Sequence, residues 1–410
     1  MPNLGAVGAL LAAVALAPAS LPVAAGTTKA FIGTGVEDRL RTDGRVRVLV
    51  LRDVGGTDRP GLPAGALEAV RSLSGGGLLT GWLTPRGLEA LGRDDRTRAV
   101  VLDRLVRPAG QIGAAQIGSD RLLGAGVTGA GRSIGIVDTG IDLFHPDLGA
   151  TASGSGRILG GWNFADGNAD IYDCDGHGSA VAGVAAGVQG IAPEASIVAL
   201  KVFGARDGCS GAWASDVLAA VDWAIEHRAE LRIDVLNLSL ADERARPGFC
   251  DDEDPVSAQL FARARAEGVA VVASSGNSGQ RDGLSWPACH SDVFSVGMVY
   301  SVGQGPTSWN GDAQCTDTVT GPDLVPCASN AGPALSVLAP GVRWLVPAAG
   351  GGRRTTFSGT SAAAPAAAGS LLLSRQFTLF RDPALSTDFL RLTGVPVVDT
   401  RTGASTPRID

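Results

Sequence analysis

A chain of 410 residues with 45% hydrophobic content can bury a large core, and its 58 glycines fall between apolar runs rather than in tracts, which excludes a disordered chain. The formal net charge of −7 is unevenly spread: residues 26–108 carry 14 Lys or Arg against 10 Asp or Glu, and residues 109–410 carry 20 against 31. The acidic body excludes nucleic acid and anionic membrane surfaces as partners and is suited to attract the basic front piece.

The first 25 residues have no charged side chain and run through an apolar stretch from Ala9 to Ala17 to the small-residue ending Val23-Ala-Ala25. The stretch is short for a membrane span and Pro18 and Pro22 interrupt it, so it reads as an export signal. Arg45 to Asp53 alternates as a strand, 63–73 has a helical spacing, 78–83 is a second apolar run, 84–91 a short helix and Arg98 to Val106 another strand. That β-α-β-α-β stretch is expected to fold as a unit.

Beyond Pro108, apolar strands are expected at 133–137, 196–202, 233–239, 269–275 and 293–298, with helices at 178–187, 213–229 and 255–267. In the second helix Val217, Val221 and Ile225 recur at i, i+4 and i+8. Strands that are apolar throughout and alternate with helices imply an α/β fold with a mainly parallel sheet covered on both faces. Working residues of such sheets gather beyond the carboxyl ends of the strands.

Four motifs stand at those places. Asp138-Thr-Gly140 follows the first strand of the body; with no second Asp-Thr-Gly or Asp-Ser-Gly in the chain, the paired carboxylates of an aspartic protease are missing. His177, one of only four histidines, opens a helix of small residues, Gly178-Ser-Ala-Val-Ala-Gly183. Asn277, in Gly276-Asn-Ser-Gly279, offers an amide donor to an oxyanion. Ser361, in Phe357-Ser-Gly-Thr-Ser-Ala-Ala-Ala-Pro365, sits where a loop turns into an Ala-rich helix, so its hydroxyl and backbone N–H lie at a positive helix end. Each alone is explained by a turn or a cap. The order Asp, His, Asn, Ser with each at a strand end or helix start is specific.

Together with Asp138-Thr-Gly-Ile-Asp-Leu-Phe-His-Pro-Asp-Leu148, Gly190-Ile-Ala-Pro193 and Asn237-Leu-Ser-Leu240, these motifs resemble the subtilase family of serine proteases over residues 111–410. The resemblance implies a subtilisin-like three-layer fold preceded by a small α+β propeptide domain at 26–110. It implies a secreted or periplasmic serine endopeptidase, made as a self-processed zymogen cut between Val106 and Ile117. Carried over by position, Ser361 is the nucleophile, His177 the base and Asp138 its orienting carboxylate, with Asn277 in the oxyanion hole. Ser239, Leu240, Ala241, Ala273, Ser274, Ser275 and Gly276 line the substrate pocket, whose small apolar walls suggest a broad or apolar preference. The implied partners are protein or peptide substrates and the chain's own propeptide as inhibitor, with the enzyme a monomer.

The family's His-Gly-Thr-His-Val-Ala-Gly pattern is broken by Ser179 and Ala180, which removes no triad atom. The chemistry needs no cofactor and no catalytic metal; structural calcium is a family habit, and Asp166, Asp170, Asp173 and Asp175, or Asp251 to Asp254, are acidic stretches weighed against plain solvated loops. The alternatives are a non-catalytic peptide-binding protein of the same fold and an acyl-transferring peptide cyclase. Six cysteines without a Cys-x-x-Cys pair argue for disulfides rather than zinc; fifteen pairings are possible, and sequence order favours Cys174 with Cys209, Cys250 with Cys289 and Cys315 with Cys327.

Overall fold

The computed structural model describes residues 30–33, 35–53, 62–74, 77–103, 112–149, 156–205, 208–348, 350 and 353–410. The export segment 1–25 and residues 106–111 of the expected cleavage zone lie outside the described residues. The chain divides into two compact units, residues 1–107 and 108–410.

The first unit runs β1 (Phe31–Ile32), α1 (Val36–Asp43), β2 (Val46–Arg52), β3 (Glu68–Ser74), β4 (Leu78–Leu83), α2 (Pro85–Gly92) and β5 (Thr97–Leu102). The strands form one sheet in the order β1-β5-β2-β4-β3, antiparallel except for the β1–β5 pair. Val46, Val48 and Val50 alternate inward along β2 onto a core of Val36, Leu40, Leu83, Leu91 and Val100. The helix expected at 63–73 is not there. Its second half is the edge strand β3, whose pairing with β4 is broken by two register shifts, and the helix of this half lies earlier, at α1. The apolar spacing that mimics a helix is that of an irregular strand, whose bulges disturb the period of two.

The second unit continues with α3 (Ile112–Gln116), α4 (Ser119–Gly124), β6 (Ser133–Asp138), β7 (Ile158–Asn163), α5 (His177–Ala186), β8 (Ser196–Lys201), α6 (Ala214–Leu231), β9 (Ile233–Leu238), β10 (Ala245–Arg246), α7 (Pro255–Ala266), β11 (Ala270–Ser274), β12 (Leu284–Ser285) and β13 (Val293–Val299). Then come β14 (Thr307–Trp309), β15 (Cys315–Asp317), β16 (Val337–Pro340), β17 (Trp344–Ala348), β18 (Arg353–Phe357), α8 (Thr360–Ser374), α9 (Pro383–Thr393), β19 (Val395–Val398) and β20 (Ser405–Arg408). Nine strands form the central sheet in the order β19-β20-β16-β13-β11-β9-β6-β8-β7, parallel except for the edge pair β19–β20. All five strands and all three helices expected in this half are present, each within a residue or two.

Both faces of the sheet are covered, and the strands record it residue by residue. Along β11, Ala270 and Val272 face the cluster built by α5 and α8, while Val271 and Ala273 face the cluster of α6 and α7. Along β8, Ile197 and Ala199 divide from Val198 and Leu200 in the same way. The sheet therefore shows continuous apolar strands instead of an alternating pattern. The three disulfides join Cys174 to Cys209, Cys250 to Cys289 and Cys315 to Cys327, the pairing that sequence order favours.

The topology also fixes where a site can form. From β6 the chain first adds β7 and β8 on one side, then crosses to add β9, β11 and β13 on the other. The crevice beyond the carboxyl ends of β6 and β9 is thus the reversal point of the sheet, where loops diverge and leave room for a ligand.

Candidate active site

Asp138 is the last residue of β6, at that reversal point, and is 1% exposed. Its Oδ1 accepts the backbone N–H of Thr139 at 2.7 Å and lies 2.8 Å from His177 Nδ1. A buried carboxylate held this way fixes the imidazole with Nδ1 protonated, leaving Nε2 as the basic nitrogen. His177 opens α5, and α5 can come this close to β6 because residue 178 is glycine: a Cβ there would meet the Gly140 carbonyl oxygen at 2.1 Å. Burial works against a charged His177, but the Asp138 carboxylate, by charge and by hydrogen bond, with Asp175 and Asp173 behind it, raises its pKa above the ordinary value. The ring of Phe357, from the segment leading to Ser361, packs edge-on against the imidazole at 5.3 Å between centroids.

Ser361 is the second residue of α8, after Gly359 as N-cap. Gly359 has φ +127°, a conformation that favours glycine, and the chain turns there beside Asn277. The Ser361 hydroxyl donates to the Ser239 carbonyl at 3.2 Å. Asn277 follows the end of β11, and its Oδ1 accepts both the backbone N–H and the hydroxyl of Thr360 at 2.9 Å. That leaves its Nδ2 donor without a partner among the described residues, beside a helix N-terminus that favours negative charge.

Residues 129–384 match the family model of the Subtilase family. The chain belongs to the subtilase family. Subtilisin DY of Bacillus licheniformis is 32% identical over 194 residues, 45% of this chain and 62% of that protein. Subtilisin E of Bacillus subtilis (strain 168) is 29% identical over 273 residues, 63% of this chain and 60% of that protein. The chain thus spans less than two thirds of the length of these curated relatives. A solved structure of a cold adapted subtilisin-like serine proteinase is 28% identical with a TM-score of 0.54, covering 68% of this chain and 88% of that one.

In this subtilase Ser179 and Ala180, the departures from the family pattern, are both buried. Ser179 donates its hydroxyl to Asp173 Oδ2 at 2.5 Å and accepts the backbone N–H of Asp142 at 2.8 Å, joining two loops behind His177. Ala180 lies in the core packed around α5 and α8.

A cavity of about 490 Å³ opens beside Ser361 and Asn277. Of the expected pocket residues it is lined by Ser239, Leu240, Ala241, Ser274 and Gly276. Ala273 and Ser275 are fully buried and do not line it. Side chains alternate at the end of β11, so Ala273 joins the core under α6 and α7, and the Ser275 hydroxyl donates to the Asn330 carbonyl at 3.0 Å.

The lining also includes Asp242, Glu243, Ser278, Ser285 and Asp312. Sequence reasoning missed them. Asp242 and Glu243 directly follow Ala241 and were open to notice, whereas Ser285 and Asp312 arrive from separate loops.

The acidic stretches are bound up with backbone. Asp173 accepts from Thr139 Oγ1, the N–H groups of Asp175, Gly176 and Ser179, and the Ser179 hydroxyl. Asp166 accepts from Asn163 and Ala205, Asp170 from Tyr172, and Asp175 from His177. Asp254 caps α7 through the Ser257 N–H, and Asp251 accepts from Ser291. Among the described residues no three carboxylates of either stretch stand close together.

Proposed function

We propose that this subtilase is a serine endopeptidase that cuts protein or peptide substrates through an acyl-enzyme. The observation that carries this reading is the 2.8 Å pairing of a buried Asp138 with His177, together with a cavity lined by Ser361 at a helix start and by Asn277, whose amide donor has no partner among the described residues. In the proposed reaction His177 Nε2 takes the Ser361 proton as the hydroxyl attacks the scissile carbonyl, and Asp138 stabilises the resulting imidazolium. Asn277 Nδ2 and the Ser361 N–H receive the oxyanion. His177 then returns the proton to the leaving amine, and water repeats the sequence to release the acid. The peptidase names of the similar proteins support the same chemistry.

The zymogen reading extends to the first unit, with residues 26–110 acting as the chain's own inhibitor until self-cleavage between Val106 and Ile117, and residues 1–25 directing export. Among the described residues no helix is long and apolar enough to cross a membrane. The test is direct. A sulfonyl fluoride is expected to label Ser361 in wild-type protein and to miss the Ser361→Ala variant, which neither hydrolyses casein nor processes itself. Full activity in Ser361→Ala would overturn the assignment, and N-terminal sequencing of active enzyme that found residue 26 would overturn the zymogen reading.

A further inference from the structure

The cavity beside Ser361 differs from the small apolar pocket expected from the sequence. Among the described residues, every charged side chain lining it is acidic: Asp242, Glu243 and Asp312. The three are not equivalent. Asp242 is matched by Arg246, whose Nη1 and Nη2 reach Oδ1 and Oδ2 at 3.0 and 2.8 Å, and it also accepts the Trp286 N–H. Glu243 and Asp312 have no partner among the described residues, and the nearby Arg244 is engaged by Glu253 at 2.6 Å.

The depth of the cavity points the same way. Ser274 and Ser285 line it at 1% and 2% exposure. The Ser274 hydroxyl donates to the Leu240 carbonyl, which leaves its oxygen lone pairs as acceptors. The side-chain lining thus offers chiefly acceptors, with Leu240 and Ala241 as a short apolar wall. A ligand suited to it has an apolar stem and a head made of donors. Among amino acids that description fits lysine and arginine, whose methylene stems lie on apolar surface while the charged head reaches polar groups. A carboxylate side chain would face two unmatched like charges, and a large apolar one would leave those rim charges without a partner.

We propose that Glu243 and Asp312 make this cavity a selector for substrates with a lysine or arginine side chain on the acyl side of the cleaved bond. The proposal rests on the peptidase reading above and adds the substrate class to it. Because both carboxylates are exposed, their combined effect is modest, about tenfold in kcat/KM for lysine over leucine at that position. It is also salt-sensitive and shrinks toward 1 M salt, where screening acts over about 3 Å.

The experiment uses the full chain as expressed, with active sites counted by sulfonyl fluoride labelling of Ser361, and a set of peptide anilides differing only at the acyl-side residue: Lys, Arg, Leu, Phe and Glu. The expected result is Lys and Arg above Leu and Phe, with Glu lowest. The Lys-to-Leu ratio is expected to fall in Glu243→Gln and Asp312→Asn and to reach about unity in the double variant. Glu243→Lys combined with Asp312→Lys is expected to favour Glu. A labelled enzyme that prefers Leu or Phe, or whose Lys-to-Leu ratio is unmoved by both variants, overturns the proposal while leaving the peptidase reading intact. Failure of Ser361 to label overturns the peptidase reading and this proposal with it.

Discussion

Thr360 holds the carboxamide of Asn277 in one orientation, its backbone N–H and its hydroxyl both bonded to Oδ1 at 2.9 Å. The residue that precedes the proposed nucleophile therefore also aims the proposed oxyanion donor, so one helix start organises both halves of the site. Deleting one bond of the pair loosens the amide without removing it. Thr360→Ala is expected to lower kcat about 3- to 10-fold, the worth of one neutral hydrogen bond, with KM little changed. Thr360→Ser keeps the hydroxyl and is expected to restore the rate. Asn277→Ala removes the donor itself and should cost about 10²–10³ in kcat, a figure that derives from subtilisin. Steady-state kinetics on one peptide substrate compares the three.

In the proposed mechanism the raised pKa of His177 would set the acid limb of activity. General-base catalysis needs the neutral imidazole, so kcat/KM should rise with pH through a value above the ordinary His value of about 6.5. Stability runs the other way. A His whose folded pKa is raised stabilises the fold in full below its unfolded value and loses that contribution as pH rises through the folded value. Activity thus appears over the same window in which this part of the stability disappears. Asp138→Asn removes the charge that raises the pKa and should shift the acid limb down while lowering kcat about 10⁴-fold. A pH–rate profile, paired with thermal melts of Ser361→Ala, checks both signs; an acid limb unmoved in Asp138→Asn would refute the coupling.

The proposed orienting carboxylate, base and nucleophile were legible in the sequence because each sits at the boundary of a strongly patterned element. Asp138 ends an apolar strand, His177 starts a helix of small residues, and Ser361 starts another. The pocket was less so. Four residues from Ala273 to Gly276 read alike as a small-residue run, but the pleat sends only Ser274 and Gly276 into the cavity. Asp312 comes from the loop between β14 and β15, distant in sequence from Asn277, and no local pattern ties the two together. In the first unit, Ala66, Leu67, Val70 and Leu73 recur at helical spacing yet span the start of an irregular edge strand. The true helix α1 buries only Val36 and Leu40, an i, i+4 pair among charged residues, with Gly44 ending it in the left-handed region. So short an apolar stripe gives little periodic signal.

Ser179 carries a structural load that its place in the His motif obscures. Ser179→Ala would leave Asp173 short of one donor and the buried Asp142 N–H without its acceptor. Unsatisfied buried groups of this kind cost about 1–3 kcal/mol. The variant is expected to melt earlier and, because Asp173 also caps the Asp175–Ser179 turn, to lose part of its activity. Ser179→Thr retains the hydroxyl found in the family pattern and should be tolerated. Calorimetry of the inhibited enzymes distinguishes the two.

The disulfides are expected to differ in worth by loop length. Cys250–Cys289 closes a separation of 39 residues and Cys315–Cys327 one of 12. With an unfolded-state entropy growing as 1.5R ln n, the longer loop contributes about 1 kcal/mol more. Burial acts in the same sense, since Cys250 and Cys289 are 3% and 0% exposed and pack in the core beneath α7, so a paired alanine substitution there also leaves a void. Replacing Cys315 and Cys327 loosens the β14–β15 hairpin instead, whose inner residue Trp309 is still held by its indole N–H to Asp317 at 3.0 Å. The double variant Cys250→Ala/Cys289→Ala should therefore unfold at clearly lower denaturant than Cys315→Ala/Cys327→Ala. The second should instead alter substrate turnover, because the hairpin carries Asp312 at the cavity beside Ser361. Equal midpoints for the two variants would show that the entropy of the closed loops does not govern the stability of this subtilase.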